Sequence, residues 1–244
     1  MEIRQLNNAE EFEQAIQLAD SIFRDNEHIS MGDAFPHVFS KSLKQSFAAF
    51  DGNRLVSFMG LVPSKVRINE SVINVFSIGA VCTDPEYRKQ GISTKILNKV
   101  YQYIDEAEGS ILLISGDRGL YMRNHCYHFG EVNRYRLGNL VEGINYNGVI
   151  RLGQASDLLK IDQLKQTTSI TFDSSIWEWA TLVDAGGYAS IFKMEQKVYV
   201  AEHEDELEGY VVISIPQDKS SKKEAIVTDW GGKPSTVKDI CINL

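Results

Sequence analysis

The sequence predicts a fold that mixes helices with strands and is laid out in two successive parts. Three observations carry this. Ile92, Ile96, Val100 and Ile104 recur every fourth residue with Leu97 beside them, which marks one clear amphipathic helix. Apolar runs flank Asp51-Gly52-Asn53, a strong hairpin turn. After Leu140 the pattern of the opening residues begins again.

The elements follow in order. Residues 3–6 read as a first strand and 9–22 as a helix with Phe12, Ile16, Ala19 and Ile22 on one stripe. Residues 23–36 are polar and loop-like, and 38–47 read as a second helix. Residues 46–50 and 54–62 form the hairpin, 65–68 and 72–83 are further strands, and Asp84-Pro85 ends the last of them. The long helix covers 91–104. Residues 110–115, SILLIS, are continuously apolar, as in a strand covered on both faces. A short helix over 119–124 and a strand over 129–137 follow. In the second part, Ile150-Arg151-Leu152 and 155–164 resemble Ile3-Arg4 and 9–18. VYVAEHEDELEGYVVIS at 198–214 resembles FAAFDGNRLVSFMGLV at 47–62. A strand over 225–230 then precedes the last residues.

Composition narrows the function classes. A chain of 244 residues is undecided between one and two domains but long enough for a sizeable core. Hydrophobic residues at 43% and charged residues at 24% are ordinary for a globular protein, and no apolar run reaches membrane-spanning length. The start, MEIRQLNNAEEFEQ, lacks the basic, apolar character of a secretory signal, so a cytoplasmic protein is expected. A net charge of −8 without a basic–aromatic cluster argues against nucleic acid as a partner. Cys82, Cys126 and Cys241 are odd in number and lack CxxC spacing, which fits a reduced compartment without disulfides.

The chemistry concentrates in Val81-Cys82-Thr83-Asp84-Pro85-Glu86-Tyr87-Arg88-Lys89-Gln90-Gly91-Ile92-Ser93-Thr94, where a strand turns directly into a helix. Free backbone amides and the positive end of the helix dipole bind phosphate there without a matching side chain. Gly91 lets the backbone approach a ligand, and Arg88 and Lys89 add positive charge. Neither GxxxxGK[ST] nor GxGxxG occurs, which excludes two other phosphate loops.

The spacing Arg88-x-x-Gly91-x-Ser93 resembles the R/Q-x-x-G-x-G/A signature of the GNAT N-acetyltransferases, with Ser93 where Gly or Ala is usual. Leu120-Tyr121-Met122-Arg123-Asn124-His125-Cys126 resembles that family's LYxxxGF segment. Tyr121 falls on its tyrosine, and His125 stands where glycine is usual. SGDRGLYMRN is closest in style to the tandem-domain members. The likeness spans residues 1–140 in architecture and 75–130 in motif.

The resemblance implies an α+β fold: a mixed, mostly antiparallel sheet flanked by helices, with two parallel strands splayed apart. Acetyl-CoA as co-substrate would lie in the gap, along Val81, Cys82 and Thr83, with its pyrophosphate on Lys89, Gln90, Gly91, Ile92, Ser93 and Thr94 and with Arg88 beside it. It further implies acetyl transfer to a primary amine by direct attack on the thioester. Tyr121 would be the general acid and the Val81 N–H a donor to the developing oxyanion. The base stays open between water, Glu27, Asp33 and an amine bound already neutral. The alternative reading is a non-catalytic acyl-CoA-binding module that senses the ligand or regulates a partner.

Other residues point to blander roles. His125, Cys126 and His128 fit no standard zinc spacing, so no metal is expected. Cys82 reads as a buried hydrophobe rather than a nucleophile. Glu27, His28, Asp33 and His37 read as solvated loop residues. The domain reading is 1–143 for the acetyltransferase and 146–244 for a partial, diverged copy. Gly231-Gly232-Lys233-Pro234-Ser235-Thr236 supplies no phosphate loop there. Such a half-domain would leave an uncovered edge and face. Packing on the first domain or forming a homodimer would cover them, and one CoA per chain is expected.

Overall fold

A computed structural model of the chain describes residues 1–116, 119–130, 146–218 and 223–244. The chain divides into two compact units, Met1–Phe129 and Gly130–Leu244.

In the first unit the strands β1 (Glu2–Gln5), β2 (Phe47–Asp51), β3 (Arg54–Ile68), β4 (Ser71–Thr83) and β5 (Ile111–Ile114) lie side by side in chain order. All pairs are antiparallel except β4 with β5. Helix α1 (Ala9–Phe23) covers one face of this sheet and α3 (Ile92–Glu106) the other; α2 (Met31–Ala34) is a single turn beside α1. The alternation of β2 decides which residue meets which helix. Ala48 and Phe50 pack with Phe12, Ala15 and Ala19 of α1, while Phe47 and Ala49 pack with the α3 stripe of Ile92, Ile96, Leu97, Val100 and Ile104. That arrangement is the mixed, mostly antiparallel α+β fold expected above.

Several local expectations are corrected. Residues 38–45 form turns, not a helix. Ser40 Oγ accepts the N–H groups of Ser42 and Leu43, and Lys44 takes a left-handed φ of 50°. The two strands expected around Pro63 are one strand, β3. Its pairing with β2 ends at Met59, so the N–H missing from Pro63 costs no β2–β3 bond. β5 is not covered on both faces: Ile111 and Leu113 are each 37% exposed. The polar segment 23–36 contains α2, started by Ser30 Oγ accepting from the Gly32 N–H. The strand expected over 129–137 lies almost wholly outside the described residues.

In the second unit β6 (Val149–Leu152), β8 (Met194–His203), β9 (Glu206–Pro216) and β10 (Ile226–Gly232) form an antiparallel sheet in the order β10-β9-β8-β6. α5 (Leu158–Gln166) follows β6, as α1 follows β1. β7 (Ile170–Phe172), α6 (Ile176–Ala185) and α7 (Gly187–Ile191) come before the β8–β9 hairpin, and α8 (Pro234–Asn243) follows β10. The strand order reproduces β4-β3-β2-β1 of the first unit. One side-chain device repeats as well. Arg4 grips Glu11 through two bonds of 2.9 Å, and Arg151 grips Asp157 through bonds of 2.7 and 3.0 Å.

Candidate active site

β4 carries the decisive irregularity. Phe58 of β3 pairs with Cys82 and Gly60 with Gly79, so Ala80 and Val81 together face the single residue Met59. Ala80 absorbs this bulge with a φ of 51°. Pairing between β4 and β5 stops at Ile78 and Ile114, while β4 runs on to Thr83. β5 ends there, and β4 continues without a parallel partner.

The chain then makes a tight sequence of local bonds. The Asp84 side chain caps the turn Pro85–Tyr87 by accepting from the Glu86 N–H, and Arg54 holds Asp84 at 2.7 Å. Lys89 and Gly91 both have positive φ, 63° and 72°. Gly91 caps α3 without any side-chain hydrogen bond, and a Cβ on it would meet nothing within 4 Å. The helix start therefore presents its first amides to open space, as an anion-binding terminus does. A hydroxyl chain ties this start to β4: Ser93 Oγ lies 3.1 Å from Thr83 Oγ1, which lies 2.7 Å from Ser57 Oγ. Ser57 in turn donates to the Cys82 carbonyl.

These features border one cleft of about 520 Å³. Val81, Cys82 and Thr83 line it from β4. Arg88, Lys89, Gly91, Ile92, Ser93 and Thr94 line it from the loop and helix, and Tyr121 lines it from α4 (Gly119–Met122). Of the residues expected to hold the cofactor or act as general acid, Gln90 alone is not part of the wall, and neither Glu27 nor Asp33, the carboxylates offered as bases, lines it. Gln90 is exposed, and its amide donates to the Glu86 carbonyl at 3.4 Å. Arg88 lines the cleft but donates its Nε–H to the Thr83 carbonyl at 3.1 Å. Sequence reasoning missed Ile22, Tyr87, Leu120 and Arg123, which also line it. Arg123 had a legible cue, since it lies two residues beyond Tyr121 in a segment already singled out. Ile22 had none, because only tertiary packing brings the end of α1 here. Burial pushes the Cys82 thiol up to about 12, which keeps it protonated and argues against a nucleophile.

The acetyltransferase (GNAT) domain family matches residues 2–124. The chain belongs to the GNAT family. Among solved structures with this fold are a probable N-acyltransferase of unknown function from Enterococcus faecalis (TM-score 0.69, 13% identity, 99% of this chain and 61% of that one). A GCN5-related N-acetyltransferase from Anabaena variabilis is equally similar (TM-score 0.69, 13% identity, 99% and 62%). N-myristoyltransferase of Saccharomyces cerevisiae with bound myristoyl-CoA is more distant (TM-score 0.55, 11% identity, 95% and 65%). The chain thus spans about 61–65% of the length of these structures. No curated protein matches it.

Within the GNAT frame, His125 replaces the usual glycine after the tyrosine helix, and it adopts the glycine's conformation, with a φ of 62°. Among the described residues no group of His, Cys, Asp or Glu is arranged to hold a metal ion, and Cys82, Cys126 and Cys241 are free thiols. No described helix is long and apolar enough to cross a membrane.

Proposed function

We propose that the first unit is an acyl-CoA-dependent N-acyltransferase, with acetyl-CoA as donor and a primary amine as acceptor. The observation that carries this reading is a cleft that joins the Lys89–Gly91 turn and helix start, the end of β4 beyond its pairing with β5, and Tyr121. Family membership supports the reaction class, and a CoA thioester bound in a structure of the same fold supports the ligand.

The chemistry divides among this chain's own groups. The backbone N–H groups of Ile92, Ser93 and Thr94 donate to the pyrophosphate oxygens, and Lys89, Arg88 and Arg123 supply positive charge around them. The thioester carbonyl lies at the bulge, where the Val81 N–H receives the developing negative charge. The amine nitrogen forms a bond to the carbonyl carbon as the carbon–sulfur bond breaks. The thiolate takes the proton of the Tyr121 hydroxyl, and the amine loses its proton to solvent, through which Tyr121 is restored. Among the described residues lining the cleft there is no carboxylate or histidine, which favours an acceptor that enters as the neutral amine or gives its proton to water.

Titration calorimetry with acetyl-CoA tests the ligand. Gly91→Glu directs a carboxylate into open space where the pyrophosphate belongs. Affinity is expected to fall at least tenfold, about 1.4 kcal/mol. Unchanged affinity in a folded Gly91→Glu protein would overturn the assignment. Release of free thiol with a panel of amines separates a transferase from a binding module: acyl-CoA binding without amine-dependent release supports the module.

A further inference from the structure

The hydrogen bonds behind Tyr121 converge on one side chain. Asn124 and Cys126 both donate their N–H groups to the Tyr121 carbonyl, at 2.9 and 3.1 Å, and this closure requires His125 between them to hold a left-handed φ of 62°. A residue with a Cβ resists that conformation, so something must hold the turn. Tyr101, from the middle of α3, donates its hydroxyl to the Asn124 carbonyl at 2.5 Å. Having spent its one proton there, its oxygen accepts from the Cys126 thiol at 3.1 Å. The Asn124 side chain returns to the Leu120 carbonyl at 2.6 Å, closing the turn onto α4. Tyr101, Leu120 and Cys126 all pack on the core cluster that contains Tyr121. The Tyr121 ring itself lies beside Gly116, two residues past the end of β5.

We infer that Tyr101 is a positioning residue for Tyr121: its hydroxyl clamps the 124–126 turn in the shape a glycine would take unaided, and so aims the Tyr121 hydroxyl into the cleft. The inference rests on the reading of Tyr121 as proton donor. Tyr101 is not among the described residues that line the cleft, so it acts on the chemical step and not on acyl-CoA binding. Burial, with the thiol bond second, raises its pKa above the ordinary tyrosine value of 10, which keeps its proton in place.

The test is a set of variants assayed for amine-dependent thiol release from acetyl-CoA. Tyr101→Phe is expected to lower kcat about tenfold, the scale of a small misplacement, with KM for acetyl-CoA unchanged. In a Tyr121→Phe background the same change should leave kcat unaltered, because the group it aims is gone. Adding His125→Gly to Tyr101→Phe should restore most of the lost kcat, since glycine holds the turn without a clamp. An unchanged kcat in Tyr101→Phe overturns the inference, and so does an equal loss in both backgrounds, which would mark a general packing role. Wild-type turnover in Tyr121→Phe alone would instead remove the proton-donor reading, and this inference with it, while leaving acyl-CoA binding intact.

Discussion

Arg4 and Arg151 show what a single side chain contributes. Each guanidinium bridges the first strand of its unit to the start of the following helix, and each carboxylate also accepts a backbone N–H, from Asn7 and from Gln154. The Arg4 fork holds the Glu11 carboxyl below its ordinary 4.5, and the Arg151 fork holds Asp157 below its ordinary 3.8. A carboxyl depressed in the folded state contributes stability that is complete above its unfolded pKa and is lost as pH falls through its folded pKa. The losses therefore begin below pH 4.5 for Glu11 and below 3.8 for Asp157. Glu11→Gln is expected to cost about 2 kcal/mol at neutral pH, the scale of hydrogen bonds to a charged group, and to flatten the loss on acidification. Urea denaturation between neutral pH and about pH 3 measures both. An acid limb as steep as in the unchanged protein would show that Glu11 does not carry it. The sequence made Arg4 and Arg151 visible as members of a repeat. Their partners were not legible, because an ion pair across strand and helix depends on how the two elements meet.

At the scale of the element, the β4 bulge does most to shape the cleft. Ala80 at φ 51° accommodates the extra residue of β4 opposite Met59, next to the cleft-lining Val81. Ala80→Gly relieves that strain and should leave stability within about 1 kcal/mol and activity near normal. Ala80→Val puts a β-branched residue in a conformation it strongly resists, and should cost at least about 1–2 kcal/mol. It should also weaken acetyl-CoA binding as the strand straightens. Thermal melts and calorimetry on both variants check this, and a Val variant as stable as the Gly variant would contradict it. Nothing in VINVFSIGAVCT marks Ala80 as left-handed. A bulge arises from the register that two strands adopt together, and residue preference alone does not encode it. The helix that follows was legible to within two residues, because a four-residue apolar stripe is a local property.

At the scale of the whole molecule, the two sheets share one strand order but not the turn that precedes α3. In the second unit β10 passes straight into α8. Gly232 has a φ of 101°, and a Cβ there would lie 2.2 Å from the Glu208 carbonyl oxygen. Lys233 is tied to Glu208 at 2.6 Å, and Pro234 opens the helix without an N–H to offer. No turn equivalent to Lys89–Gly91 intervenes between β10 and α8. Calorimetric titration with acetyl-CoA is expected to saturate at one equivalent per chain, bound in the first unit. A second equivalent would show that α8 binds after all.

What the sequence determined by itself was local or periodic: the α3 stripe, the Asp51-Gly52-Asn53 turn, the strand–turn–helix of the loop, the tyrosine register and the repeat of the opening elements. Such features depend on neighbours within a few residues, so spacing reveals them. Tertiary structure alone decided the rest. It drew Ile22 to the cleft, turned Gln90 away from it, broke the helix expected over 38–47, and bent His125 into a glycine's conformation under the hydroxyl of Tyr101. Those outcomes come from contacts between elements distant in the chain, whose energies outweigh the local preferences of the residues involved.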